Sequence, residues 1–132
     1  MSLSSYVANE PLLMNQVNES FPRKEGLRGK KNFERVYREG SVHQTRHIVL
    51  FCLKEDVDVR KAAFVTSRKL GKAVTRNRVR RRFREAYRRI KSGLPDRVYL
   101  VFVGRKGIAE LGWNSLLEEM EAVLAKAGLA RL

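Results

Sequence analysis

Cysteine occurs once in the 132 residues, at Cys52, so the chain has neither a disulfide framework nor a Cys-based zinc site. A lone thiol fits a reducing, intracellular setting. No apolar run approaches the roughly 18 residues of a membrane-crossing helix, and no basic-then-apolar leader opens the chain. Cytoplasmic residence without a membrane is the expectation. Acid is scarce as well: 14 Asp and Glu stand against 28 Lys and Arg, a formal net charge of +14. That imbalance says little about fold, but it predicts attraction to a polyanion, either nucleic acid or an anionic membrane surface. Hydrophobic residues make up 43%, which excludes a disordered basic tail and suits one small domain with one core.

A protein-borne active site is also missing from the pattern. His43 and His47 read as four residues apart on one strand, about 13 Å by strand rise, too far to chelate one ion. Glu55, Asp56 and Asp58 read as a solvated turn. No Ser-His-Asp or Cys-His constellation and no phosphate-binding glycine loop is present. The chain is therefore expected to be noncatalytic by itself, with no tightly bound metal of its own.

What is present begins with an extension. Residues 1–20 carry two acids and no Lys or Arg, lack sustained periodicity and read as flexible. KKNFERVYRE predicts a short helix from Lys30 or Lys31 to Glu39, with Phe33, Val36 and Tyr37 on one face and Gly40 as its stop. HQTRHIVLFCL (His43–Leu53) and RKAAFVTS (Arg60–Ser67) read as strands, with Ser41–His43 as an extra edge strand. RVYLVFVG (Arg97–Gly104) is apolar enough for a central strand covered on both faces. From about Gly112, Trp113, Leu116, Leu117, Met120, Val123, Leu124 and Ala127 form a helical stripe. This order predicts an α+β sheet layer with helices packed on it.

KLGKAVTRNRVRRRFREAYRRIK, Lys69–Lys91, is the unusual part. Between Arg68 and Lys91 there are twelve Lys or Arg and one acid, Glu85. With Thr75 as N-cap, a helix to about Lys91 places Val79, Phe83, Ala86, Tyr87 and Ile90 within an arc of about 100° that can seat on a sheet. Asn77, Arg81, Arg84 and Arg88 then share one exposed flank, Arg78, Arg82 and Arg89 another, and Arg76 and Arg80 border the apolar stripe. Like charges at i, i+4 cost about 0.2–0.5 kcal/mol per pair, and cations in the first turn oppose the helix dipole. Local electrostatics thus calls for an external anion. Arginine forks suit phosphate. A solvated helix face usually mixes signs, and a membrane-surface helix would need the apolar stripe that the core requires.

At Arg68–Arg88, RKLGKAVTRNRVRRRFREAYR closely resembles the signature of the bacterial ribonuclease P protein subunit family. That signature is an Arg-Asn-Arg segment opening a basic helix after a Lys-(hydrophobic)-Gly-x-Ala-Val turn. FPRKEGLRGKKNFERVYREG is similar to the family's N-terminal segment and first helix, and RVYLVFVGRKG to its last strand, so the likeness runs from about Phe21 to Met120. It implies an αβββαβα two-layer α/β sandwich with a mixed, mainly antiparallel four-stranded sheet. It also implies a left-handed βαβ crossover, as in the second domain of ribosomal protein S5, where the general rule is right-handed. Residues 21–132 would form this single domain.

The resemblance implies a function too. In this family the protein binds a large catalytic RNA, and the complex, an endoribonuclease, removes the 5′ leader from precursor tRNA. Hydrolysis is carried out by divalent metal ions (Mg2+) held mainly by the RNA, and no obligate protein partner is inferred. Lys69, Arg76, Asn77, Arg78, Arg80, Arg81, Arg84 and Arg88 fall on the basic surface for the catalytic RNA. Phe33, Tyr37, Phe51 and Arg68 fall on the leader-binding cleft. Tyr37 and Phe51 differ in aromatic type from many members, and Arg82 replaces a commonly apolar residue. By spacing alone, Phe33 and Tyr37 either stack on bases or fill the core. A ribosomal or general structural RNA-binding protein with no role in cleavage is the alternative. A helix-turn-helix is excluded, because the segments flanking the basic helix read as strands.

Overall fold

The computed structural model describes residues 25–55, 60–95 and 97–129. The extension 1–20 and the acidic turn residues Asp56 and Asp58 lie outside them. The elements are α1 (Lys30–Glu39), β1 (Ser41–Gln44), β2 (Ile48–Lys54), β3 (Arg60–Thr66), α2 (Ala73–Ile90), β4 (Val98–Gly104) and α3 (Trp113–Lys126), with single 3-10 turns at Arg68–Leu70, Lys91–Gly93 and Ile108–Glu110. The sheet order is β1-β2-β4-β3. β1 pairs antiparallel with β2 and β2 with β4, while β3 and β4 are parallel and joined through α2. This is the expected α+β fold with a mixed, mainly antiparallel sheet.

Alternation along the strands gives the sheet two apolar faces. Leu50, Phe102 and Phe64 share one register row on the face that receives α2. There Phe83 stacks 5.9 Å from Phe64, and Tyr87 meets Phe64 edge-on at 5.6 Å. Each such ring contributes about 1.5–3 kcal/mol by leaving water, which is how a helix this charged stays seated. The neighbouring row, Phe51, Val101 and Ala63, faces α1. β4 is buried along most of its length, as its near-continuous apolar run requires.

α1 must end as the chain passes over β2. At Gly40 an added Cβ would lie 2.6 Å from the carbonyl oxygen of Val36 and 2.7 Å from that of Cys52. No side chain fits between two backbones that close.

Two expectations are corrected. His43–Leu53 is not one strand: the chain turns at Thr45–His47, where the Thr45 N–H donates to the Ile48 carbonyl at 2.9 Å, and β1 is a four-residue edge strand. His43 therefore lies on β1 and His47 in the turn that follows it. The basic helix also starts before Thr75. Gly71, at φ +128°, ends the 3-10 turn, Lys72 is the N-cap, and Thr75 is already helical. The Arg76 N–H donates to the Lys72 carbonyl at 3.0 Å, so the first turn closes without a side-chain cap.

Candidate nucleic-acid interface

α2 carries the charge, and its seating decides which cations reach solvent. Val79, Phe83, Ala86 and Tyr87 are buried and Ile90 is partly so, as the apolar arc requires. Lys69, Lys72, Arg78, Arg81 and Arg89 are exposed, while Arg76, Asn77, Arg82 and Arg88 are half-buried. Arg84 departs from its expected place on the open flank: it is only 2% exposed. Arg80, one turn earlier on the same side, is 8% exposed. The helix sinks toward β3, so its buried arc runs past the apolar stripe. The long arginine stems there line protein rather than solvent.

Several arginines are engaged internally. Arg76 donates to the Gly71 carbonyl at 2.9 Å and clamps the turn that precedes the helix. Arg80 donates to Thr66 Oγ1 at 2.6 Å and to Asn77 Oδ1. Arg78 and Arg82 reach the carbonyls of Ala109 and Leu111 at 3.4 and 2.5 Å, and Arg89 sits 5.5 Å from the Trp113 ring centroid. The flank of Arg78, Arg82 and Arg89 is thus a seam that holds the β4–α3 connection. Arg88 pairs with Glu85 at 2.6 Å. That bond, against the opposing effect of burial and with the charges of Arg88 and Arg89, holds the Glu85 carboxyl below its ordinary value. Among the described residues, the side chains of Lys69, Lys72 and Arg81 have neither an ion pair nor a hydrogen bond. They surround the first half of α2 with uncompensated charge.

The aromatic set divides. Phe33 is fully buried and belongs to the core, so it presents no face to a base. Tyr37 is half-buried, with its ring 6.1 Å from Phe33 and 4.7 Å, edge-on, from Phe51. Its hydroxyl is buried with no hydrogen-bond partner among the described residues, and burial raises the phenol well above its ordinary pKa. Phe51 is half-buried on the α1-side face, as are Val49 beside it and Val103 across from Val49. Arg68 is not brought to these rings. It follows Thr66, whose register row lies three positions from that of Phe51, about 10 Å along the sheet. Phe51, Val49 and Val103 form a partly open apolar strip running toward that end.

The histidines are engaged locally. His43 Nε2 contacts Ser41 Oγ at 2.9 Å, and His47 Nδ1 donates to Glu119 Oε1 at 2.8 Å. No group of three or more His, Cys, Asp or Glu residues able to hold a metal occurs among the described residues. Reading the sequence alone misses Thr66 as the anchor of Arg80 and Glu119 as the acid that fixes the hairpin turn. Neither has a local signal, because each acts on a residue distant in sequence.

A family model described as Ribonuclease P matches residues 21–128. The ribonuclease P protein component of Caldanaerobacter subterraneus subsp. tengcongensis is 37% identical over 103 residues, covering 78% of this chain and 89% of its own length. That of Thermotoga maritima is 35% identical over 94 residues, covering 71% and 80%. Among solved structures, the RNase P protein from Thermotoga maritima aligns with a TM-score of 0.71 at 29% identity, covering 77% of this chain and 96% of that one. The Staphylococcus aureus RNase P protein aligns with a TM-score of 0.74 at 23% identity, covering 81% and 98%, a likeness of fold.

Proposed function

The chain belongs to the ribonuclease P protein family, and from that premise we propose that it is the noncatalytic protein subunit of a ribonuclease P ribonucleoprotein that removes the 5′ leader of precursor tRNA. Its partners are the catalytic RNA and the precursor tRNA, and its place of work is the cytoplasm. The observation that carries this reading is the charge, uncompensated among the described residues, of Lys69 and Lys72 at the entry to α2 and of Arg81 on α2 itself, a helix whose other side is locked into the core. A rigid helix presenting unpaired cations binds phosphate without first breaking internal ion pairs. Mg2+ belongs to the RNA in this reading, where it would activate water and stabilise the leaving oxygen. The chain contributes charge that lets RNA strands and their metal ions approach one another.

The leader, as single-stranded RNA, would lie along the strip of Phe51, Val49 and Val103, with Phe51 offering a ring for stacking and Tyr37 backing it. Phe33, fully buried, belongs to the core and does not touch RNA. The test compares the affinity of the assembled protein–RNA complex for precursor tRNA and for mature tRNA, with wild-type chain and with Phe51→Ala. A loss confined to the leader-bearing substrate supports the leader surface. An equal loss for both substrates contradicts it.

A further inference from the structure

Asn77 shares a flank of α2 with Arg81, its exposed i+4 neighbour, and is itself half-buried. Its carboxamide is not free to choose an orientation. Arg80 donates to Asn77 Oδ1, and a guanidinium has no acceptor, so the oxygen must face inward and the Nδ2 amine must face away from Arg80. Arg80 is fixed in turn by its 2.6 Å bond to Thr66 Oγ1 at the end of β3, and both Arg80 and Thr66 are buried. Asn77 Nδ2 has no hydrogen-bond partner among the described residues.

We propose that Thr66, Arg80 and Asn77 form an orienting relay that makes Asn77 a donor-only contact for RNA, and that Arg80 is a positioning residue that does not itself touch the RNA. The inference rests on reading α2 as an RNA-binding helix. The ligand atom is a hydrogen-bond acceptor, and the exposed cation of Arg81 on the same flank favours a phosphate oxygen over a base edge. Arginine suits the buried position because one planar fork reaches two acceptors at once, which a lysine ammonium does with less geometric definition.

The test measures binding of the catalytic RNA against salt concentration, together with thermal stability, for a small set of variants. Asn77→Ala is expected to lose about tenfold in affinity. Asn77→Asp keeps the bond to Arg80, and so the melting temperature, but turns a carboxylate toward phosphate. It is expected to bind about tenfold more weakly still. Arg80→Ala should weaken binding with the salt slope unchanged, and Asn77→Ala should add nothing in that background. Thr66→Val, which lies out of reach of any RNA, should weaken binding in the same way if Arg80→Ala fails to fold. Asn77→Asp binding as well as or better than Asn77→Ala would overturn the relay, and so would a salt slope reduced by about one in Arg80→Ala. Arg81→Ala is the control for the underlying reading. If it too leaves the salt slope unchanged, α2 does not bind phosphate and the inference falls with that reading.

Discussion

The Glu119 carboxylate holds the β1–β2 turn from 72 residues away: it accepts the His47 backbone N–H at 2.6 Å and His47 Nδ1 at 2.8 Å, and Thr45 Oγ1 donates to it at 2.6 Å. A turn without Gly, Pro, Asn or Asp is thereby fixed by an acid on α3. Burial raises the Glu119 pKa, but the hydrogen bonds from Thr45 and His47, with the charge of His47, outweigh it and leave the carboxyl below its ordinary value.

The acid limb of stability follows from that balance. A depressed folded-state pKa contributes stability that is fully present above the unfolded value of about 4.3 and is lost as pH falls through the folded value. Glu119→Gln is expected to cost about 1–3 kcal/mol at neutral pH, because an amide cannot accept from all three donors. It should also flatten the loss of stability below about pH 4.3. Urea unfolding of both proteins across pH 2–7 checks this, and parallel pH profiles would contradict it.

Charge and anchoring separate on α2. Arg81→Ala is expected to lower the salt slope of RNA binding by about one and to leave stability within about 0.5 kcal/mol. Arg82→Ala, which breaks the bond to the Leu111 carbonyl, should cost about 1 kcal/mol of stability and change the slope less. Denaturant titration paired with binding at several salt concentrations reads both quantities.

Phe33 and Phe51 should respond in opposite ways. Phe33→Ala empties a fully buried site and is expected to cost about 3–5 kcal/mol of stability, with no preference between leader-bearing and mature tRNA. Phe51→Ala should reduce affinity for the leader-bearing substrate by about 1–3 kcal/mol. Leader-specific loss in a folded Phe33→Ala protein would contradict the core assignment.

Gly40 offers a test of packing alone. With backbone oxygens at 2.6 and 2.7 Å from any added Cβ, Gly40→Ala is expected to destabilise by about 1–3 kcal/mol, although alanine is ordinarily the milder residue. A melting curve equal to that of the wild type would show that α1 and β2 can separate without cost.

Patterns written locally were legible in the sequence. The spacing of Phe33, Val36 and Tyr37 gives α1, the run VYLVFVG gives a doubly covered strand, and the arc from Val79 to Ile90 gives the seated face of α2. What was not legible depends on partners distant in sequence. A helical wheel places Arg84 by angle alone, while its burial depends on how deeply the helix sinks toward β3. The i, i+4 spacing of Phe33 and Tyr37 does not tell an inward ring from an outward one. Only the sheet beneath decides that Phe33 is core and Tyr37 is half-open. The turn at Thr45–His47 has no breaker residue, and its acid arrives with α3. The motif at Arg68–Arg88 identified the family, while the division of its arginines between anchoring and presentation required the fold.

The most direct test of the account is cleavage of precursor tRNA by the cognate catalytic RNA at low magnesium, with and without the purified chain. The account predicts that the chain stimulates release of the 5′ leader, and that Arg81→Ala stimulates less at raised salt. No stimulation by the folded wild-type chain, or association with ribosomal particles with cleavage unchanged, would contradict it.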